Sequence, residues 1–294
     1  MLQVGALLTL LAVATQSVGK VLYGTLLADV VTQWFVLISI SLTAAVFLAS
    51  VQLHAPRQGR WLMVGANVWT AVSFIGLFFA LKHLPPAMFA SLEIGVALLA
   101  AVAITAVQQM AWPPLLRMIA CAGILLGCAL LAWTEIVFTM TAPSSTAVWI
   151  AIGAAMITGL TSALTVTTCR RLALLGWSPR AVLAHRFYLT ILAAAAWMAL
   201  EMPAISAPPM GDLVSIAAVG AVAVLLPLLL FQLALRRVDE LTVMICGSAQ
   251  PMISFVIALP SPAYGWDPVA FVGVVVVTLF VGLDIAALQR RAVA

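Results

Sequence analysis

A chain of 294 residues with 65% hydrophobic and 7% charged side chains falls far below the roughly one-quarter charged content of a soluble domain. Too little polar surface exists to cover a water-soluble globule, so lipid is the solvent for most of the chain. The net charge of +4 rests on 13 Lys and Arg, which in a membrane chain report orientation rather than affinity for nucleic acid. Cys121, Cys128, Cys169 and Cys246 show neither C-x-x-C nor metal-ligand spacing, so no metal and no cofactor is expected.

A membrane-spanning helix needs about 20 apolar residues, and ten such segments can be marked off wherever charges, prolines or Gly/Ser turns interrupt the run. The first half holds segments at 2–19, 31–53, 61–81, 86–108 and 115–134. No basic stretch or cleavage site marks the first as a removable leader, so it is read as a retained helix. It carries Gln16, and Lys20 and Asp29 separate it from the second. The third carries Asn67, Trp69 and Ser73; Trp69 and Ser73 stand i, i+4 on one face, while Asn67 lies well round from Trp69. The fourth carries Glu93, read as the only carboxylate well inside a span.

The second half holds segments at 147–169, 179–201, 213–235, 241–259 and 268–288. The sixth bears a polar strip of Thr158, Thr161, Ser162 and Thr165, for which packing against a neighbouring helix is favoured over substrate contact. In the seventh, Arg186 follows Arg180 and His185. Snorkelling to the headgroups is the favoured reading of Arg186, with an inward-facing cation for a substrate carboxylate as the alternative. The eighth carries Gln232. In the ninth, Ser248 and Gln250 precede Pro251, whose missing N–H frees a carbonyl inside the span.

Lys and Arg in excess mark the cytoplasmic side of short loops. With the N-terminus inside, Arg57, Arg60, Arg117, Arg170, Arg171, Arg180, Arg236, Arg237, Arg290 and Arg291 all fall on that side, and only Lys20 and Lys82 fall opposite. Both termini are therefore expected in the cytoplasm. Ala80-Leu-Lys-His-Leu-Pro-Pro, after the third segment, aligns without gaps with Ala234-Leu-Arg-Arg-Val-Asp-Glu, after the eighth. A five-plus-five division follows, with residues 1–140 and 147–294 as the two repeats. Repeats with an odd number of spans enter the membrane from opposite sides, so the expected fold is an all-α polytopic membrane protein of two inverted five-helix repeats.

At these residues the chain resembles the drug/metabolite transporter superfamily and, within it, the EamA-type ten-helix exporters. Ala80-Leu-Lys-His through Ala90-Ser-Leu-Glu93 is similar to a first-half pattern in which a basic pair precedes an intramembrane Glu. Ala234-Leu-Arg-Arg through Ser248-Ala-Gln-Pro251 is similar to a second-half pattern ending in Leu-Glu-Pro, with Gln250 in place of Glu. The threonine/homoserine exporter branch is nearest in pattern. No Pro follows Glu93, and Pro260-Ser-Pro-Ala-Tyr-Gly stands where the family has Gly-Glu. The resemblance implies an inner-membrane exporter of small metabolites, amino acids or amino-acid-like compounds foremost.

The expected substrate-binding set is Glu93, Trp69, Ser73, Asn67, Gln250, Ser248, Thr161, Thr165, Arg186 and Gln16. Placing a charged acid at mid-membrane costs about 2.5–3.5 kcal/mol on insertion scales, which makes Glu93 the first candidate for binding an ammonium or carrying a proton. Ser248 and Gln250 are expected to hydrogen-bond cargo and Trp69 to close its apolar side. The expected partners are a small-molecule substrate, protons and the lipid bilayer, in a monomer or homodimer. The chain carries no H-E-x-x-H, P-loop or G-x-S-x-G motif, so an enzyme is not expected. The rival reading is a non-transporting membrane enzyme or assembly subunit.

Overall fold

Backbone polar groups in hydrocarbon find no water, so an apolar run of spanning length satisfies them within itself as a helix. The computed structural model describes residues 2–27, 30–50, 58–84, 86–140, 146–201, 208–258 and 268–293, and no strand occurs among them. In chain order the helices are α1 (Leu2–Leu26), α2 (Thr32–Ser50), α3 (Arg60–Leu81), α4 (Pro86–Gln109), α5 (Leu115–Met140) and α6 (Thr146–Leu174). The remainder are α7 (Pro179–His185), α8 (Tyr188–Glu201), α9 (Met210–Gly220), α10 (Leu226–Leu235), α11 (Glu240–Gly247), α12 (Gln250–Ala258) and α13 (Pro268–Val293). They make 10 helical stretches long and apolar enough to cross a membrane. The chain is thus all-helical and compatible with a multi-pass membrane protein, in line with the hydropathy reading.

The first six spans and the tenth are continuous helices, whereas the seventh, eighth and ninth are interrupted. Each interruption has a local cause. The eighth widens at Ala221–Leu225 into a π turn, because Pro227 cannot donate to the carbonyl four residues back. The ninth breaks at Ser248 and Ala249, directly before Pro251. The seventh breaks at Arg186 and Phe187, and a neighbouring side chain holds the break open, as described below.

Turns at one end set where the broken spans start. Gly176, at φ 86°, ends α6 in a Schellman motif: Trp177 N–H donates to Leu172 O at 3.0 Å and Gly176 N–H to Ala173 O at 3.2 Å, a geometry that favours glycine. The Trp177 indole N–H then donates to Gln58 O at 2.8 Å, tying this turn to the one before α3. Ser178 caps α7 by accepting from Ala181 N–H, with Pro179 in the first turn. Asp239 caps α11 by accepting from Thr242 N–H at 2.7 Å.

The most extensive packing joins α3 with α6, α5 with α13, α4 with α6, and α1 with α10. Further pairings join α4 with α5, α2 with α7 and α8, α1 with α12, α3 with α8, and α4 with α11 and α12. Small residues permit these approaches, as expected where lipid gives helices no hydrophobic reason to associate. A Cβ on Gly159 would stand 2.3 Å from the Glu93 carbonyl oxygen, and one on Gly19 2.3 Å from Ala223 Cα. Gly123 and Gly127, one turn apart on α5, meet Phe280 and Val277 of α13 in the same way.

One sequence expectation changes here. Lys20 does not lie in a connection: α1 continues to Leu26 and Lys20 is 4% exposed. A second buried carboxylate lies near the end of the tenth span. Asp284 of α13 is 1% exposed and accepts from Arg117 Nε at 3.4 Å. Arg117 also pairs with Asp239 at 3.5 Å and donates to Thr242 Oγ1, binding α5, α11 and α13 together at one end of the bundle.

Candidate functional site

A cavity of about 130 Å³ lies within the bundle, walled by the first, third, fourth, sixth, seventh, eighth and ninth spans. By the same measure one water occupies about 10–15 Å³, so there is room for a solute of about ten non-hydrogen atoms. Its lining reaches from Glu93 and Leu77 to Leu235 and Val243, which belong to the last turn of α10 and the first turn of α11. The cavity therefore extends toward the end carrying the Arg117 network. Toward the other end the space narrows to a pocket of about 10 Å³ bordered by Gln16, Lys20, Tyr23, Leu77, Phe78 and Leu81, enough for about one water. Beside it Tyr23, Phe35 and Phe78 stack with ring centroids 4.6–5.5 Å apart, and the Tyr23 hydroxyl lies 2.9 Å from Thr32 Oγ1.

Glu93 stands in the wall where α4 meets α6, at the contact Gly159 allows. Its Oε2 pairs with Lys20 Nζ at 3.2 Å and its Oε1 accepts from the Ser162 hydroxyl at 3.2 Å. The Lys20 ammonium also lies 4.8 Å from the centre of the Phe89 ring. Both members of the pair are buried, so each cancels a charge that would be expensive alone in this medium.

The break in the seventh span puts Arg186 at mid-helix with φ −91° and ψ 0°. Asn67 of α3 braces both sides of that break: its amide donates to His185 O at 2.8 Å and to Met63 O at 3.0 Å, and its oxygen accepts from Leu189 N–H at 3.3 Å. Arg186 is 4% exposed and lines the cavity; it does not reach out to headgroups. Burial inside the bundle at the break, seven residues past the start of α7, leaves its stem no route along a lipid-facing surface.

Of the ten residues singled out in the sequence, Glu93, Ser73, Thr165, Arg186, Gln250 and Gln16 line the cavity. Four do not. Asn67 is occupied by the break it braces. Trp69 is half-buried and lies beside Gly65 on its own helix; the inner stripe of α3 is Thr70, Ser73, Phe74 and Leu77, and Trp69 falls on its flank. Thr161 lies within 2.9 and 3.1 Å of the Ile157 and Thr158 carbonyls, which can only accept. Thr161 therefore donates to its own helix and the Ser73 hydroxyl donates to Thr161 at 2.7 Å, crosslinking α3 and α6. The Ser248 hydroxyl donates to Met244 O at 2.9 Å and is fully buried in the break of the ninth span.

The apolar side of the cavity is formed instead by Phe74, Leu77, Leu228 and Phe231. Gly247 also lines it, and Pro251 four residues later cannot donate to the Gly247 carbonyl. Lys20 was missed as a site residue because Gly19-Lys20 reads as the end of a segment. The signal available was chemical: an acid inside a span calls for a base, and Lys20 is the basic residue nearest the first helix. Thr70 was also missed, although it shares a face with Ser73.

No protein-family model matches this chain, and no curated protein matches it. Among solved structures, one described only as a crystal structure of a protein matches 97% of this chain and 96% of its own, with TM-score 0.72 at 16% identity. Agreement at that identity defines a shared fold. The class that fold and site define is an all-helical chain whose described residues form ten helical stretches compatible with membrane spans, around a central cavity with a mostly apolar lining and a few polar groups.

Proposed function

We propose that this chain is a secondary transporter of the inner (plasma) membrane that exports a small polar or amphipathic metabolite, an amino acid or amino-acid-like compound, by alternating access. The observation that carries this reading is the cavity walled by spans of both halves, reaching toward one end of the bundle and narrowed at the other. Interrupted helices at such a cavity are the usual way transporters expose backbone polar groups to a solute. In this reading the chain is an EamA-type member of the drug/metabolite transporter superfamily, with residues 1–140 and 147–294 as inverted repeats.

Helix pairing supports the repeat. Adding five to each span number turns the third–sixth contact into eighth–first, fourth–sixth into ninth–first, third–seventh into eighth–second, and fourth–fifth into ninth–tenth. The second–seventh, fourth–ninth and fifth–tenth contacts map onto themselves, and all these pairings occur. Orientation rests on charge. Arg60, Arg117, Arg170, Arg171, Arg180, Arg236 and Arg237 gather at the end toward which the cavity extends, and with Lys20 buried Lys82 stands opposite. Both termini are accordingly assigned to the cytoplasm, and the cavity to an inward-facing state.

Cysteine labelling from each side tests alternating access. In a variant with the four native cysteines replaced, Phe231→Cys is expected to react with a membrane-impermeant maleimide from the cytoplasm, and Phe78→Cys from outside in a minority of molecules. A transported solute is expected to shift that ratio. Labelling confined to one side, and indifferent to every solute tried, would favour a non-transporting protein.

A further inference from the structure

We propose that the central cavity selects a small organic anion, a monocarboxylate held by Arg186, over the zwitterion and the amine that share its carbon skeleton. The inference rests on the reading of this cavity as a solute site, and within the amino-acid-like class proposed above it names the deaminated carboxylate rather than the amino acid itself as the solute.

The argument starts from charge. Glu93 is the only carboxylate lining the cavity among the described residues, and it is engaged: Lys20 neutralises it at 3.2 Å and Ser162 holds its second oxygen. Arg186 has no such partner. Its guanidinium remains protonated in proteins, it is 4% exposed, and its contacts are Cys169 Sγ at 3.6 Å and the face of Phe187 at 4.9 Å. Neither contact is a carboxylate, and Arg186 Nε has no hydrogen-bond partner. Among the described residues the cavity thus holds one cation without a carboxylate partner, and its fork of donors matches a carboxylate in bidentate geometry.

Neutral groups around the cavity fit the same head group. Gln250 Nε2 and Thr70 Oγ1 are buried at its wall without a hydrogen-bond partner, and the side chains of Gln16 and Gln232 line it beside them. Buried polar groups are nearly always satisfied, so two unpaired ones at the wall of one cavity point to a bound molecule that satisfies them. Phe74, Leu77 and Phe231 offer an apolar wall for the rest of the solute.

An ammonium has no comparable place. Its counter-charge would be Glu93, which Lys20 already holds, so a zwitterion would add a second cation beside that pair without gaining a free anion. A cationic amine would meet Arg186 and find Glu93 already paired with Lys20. The order of affinity that follows is carboxylate, then amino acid, then amine.

The full chain in lipid nanodiscs is titrated with 4-methylpentanoate, leucine and 3-methylbutylamine, and with 3-phenylpropanoate, phenylalanine and 2-phenylethylamine, following heat or displacement of a labelled carboxylate. In at least one series the carboxylate is expected to bind at least tenfold tighter than the amino acid, with no binding of the amine. Arg186→Gln is expected to lose at least tenfold in carboxylate affinity, and Arg186→Lys, which keeps the charge but not the fork, to lose less. Thermal melting establishes that each variant is folded. Equal or tighter binding of the amino acid or amine, unchanged affinity in folded Arg186→Gln, or no binding in either series would overturn the proposal. Arg186-dependent carboxylate binding without flux in proteoliposomes would leave it standing and refute the transport reading. Amino-acid flux indifferent to Arg186→Gln would do the reverse.

Discussion

Replacing Glu93 by Gln is expected to unsettle the protein through Lys20 as much as through the cavity. The two charges lie 3.2 Å apart with Lys20 4% and Glu93 11% exposed in their side chains, and removing one partner of a buried pair costs about 3–5 kcal/mol because the other is left uncompensated. At about 2 °C per kcal/mol, the low end of the range for chains somewhat smaller than this one, Glu93→Gln and Lys20→Met should each lower the melting temperature by about 6–10 °C. Replacing both removes both charges, and exchange of a buried pair for neutral groups of similar volume is often nearly neutral. The double variant should therefore melt close to the wild type, with a coupling energy of at least about 3 kcal/mol in the cycle. Thermal unfolding in mild detergent, read by intrinsic fluorescence, makes the measurement. Additive losses in the double variant, or single variants that melt like the wild type, would refute the assignment of Lys20 as the partner of Glu93.

Two further outcomes follow from the packing. Asn67→Leu leaves the His185 carbonyl and the Leu189 N–H without the side chain that satisfies them; at about 1–3 kcal/mol for each stranded group, it should destabilise by about 2–6 kcal/mol in a thermal or denaturant melt. Gly159→Ala would place a methyl 2.3 Å from the Glu93 carbonyl oxygen and should cost about 1–3 kcal/mol by overpacking, whereas Gly153→Ala on the same helix meets nothing within 4 Å and should be neutral or stabilising. Equal effects of the two glycine substitutions in a thermal melt would contradict the close contact of α4 with α6.

The ten spans were legible because hydropathy is a local property, and so was the break before Pro251, because a missing N–H acts within one turn. Pairing across the bundle was not. Lys20 and Glu93 are 73 residues apart, and a lysine after a glycine looks like a boundary until a carboxylate is seen beside it. Asn67 illustrates the converse: a polar residue inside a span reads as a ligand contact, but the broken seventh span, 118 residues further on, already uses it. Arg186 has a stem long enough to snorkel from its depth in the sequence; whether it does depends on which face of the span meets lipid, and that is decided by the neighbours. Asp284 near the end of the last span passed unnoticed for the same reason, since its partner Arg117 belongs to α5.

Flux through purified protein tests the transport reading most directly. Proteoliposomes preloaded with a panel of amino acids and related carboxylates, and diluted into solute-free buffer, are expected to release at least one class faster than protein-free liposomes, with Glu93→Gln and Arg186→Gln each reducing that release. Folded, reconstituted protein that releases none of the panel above the protein-free rate would contradict the account.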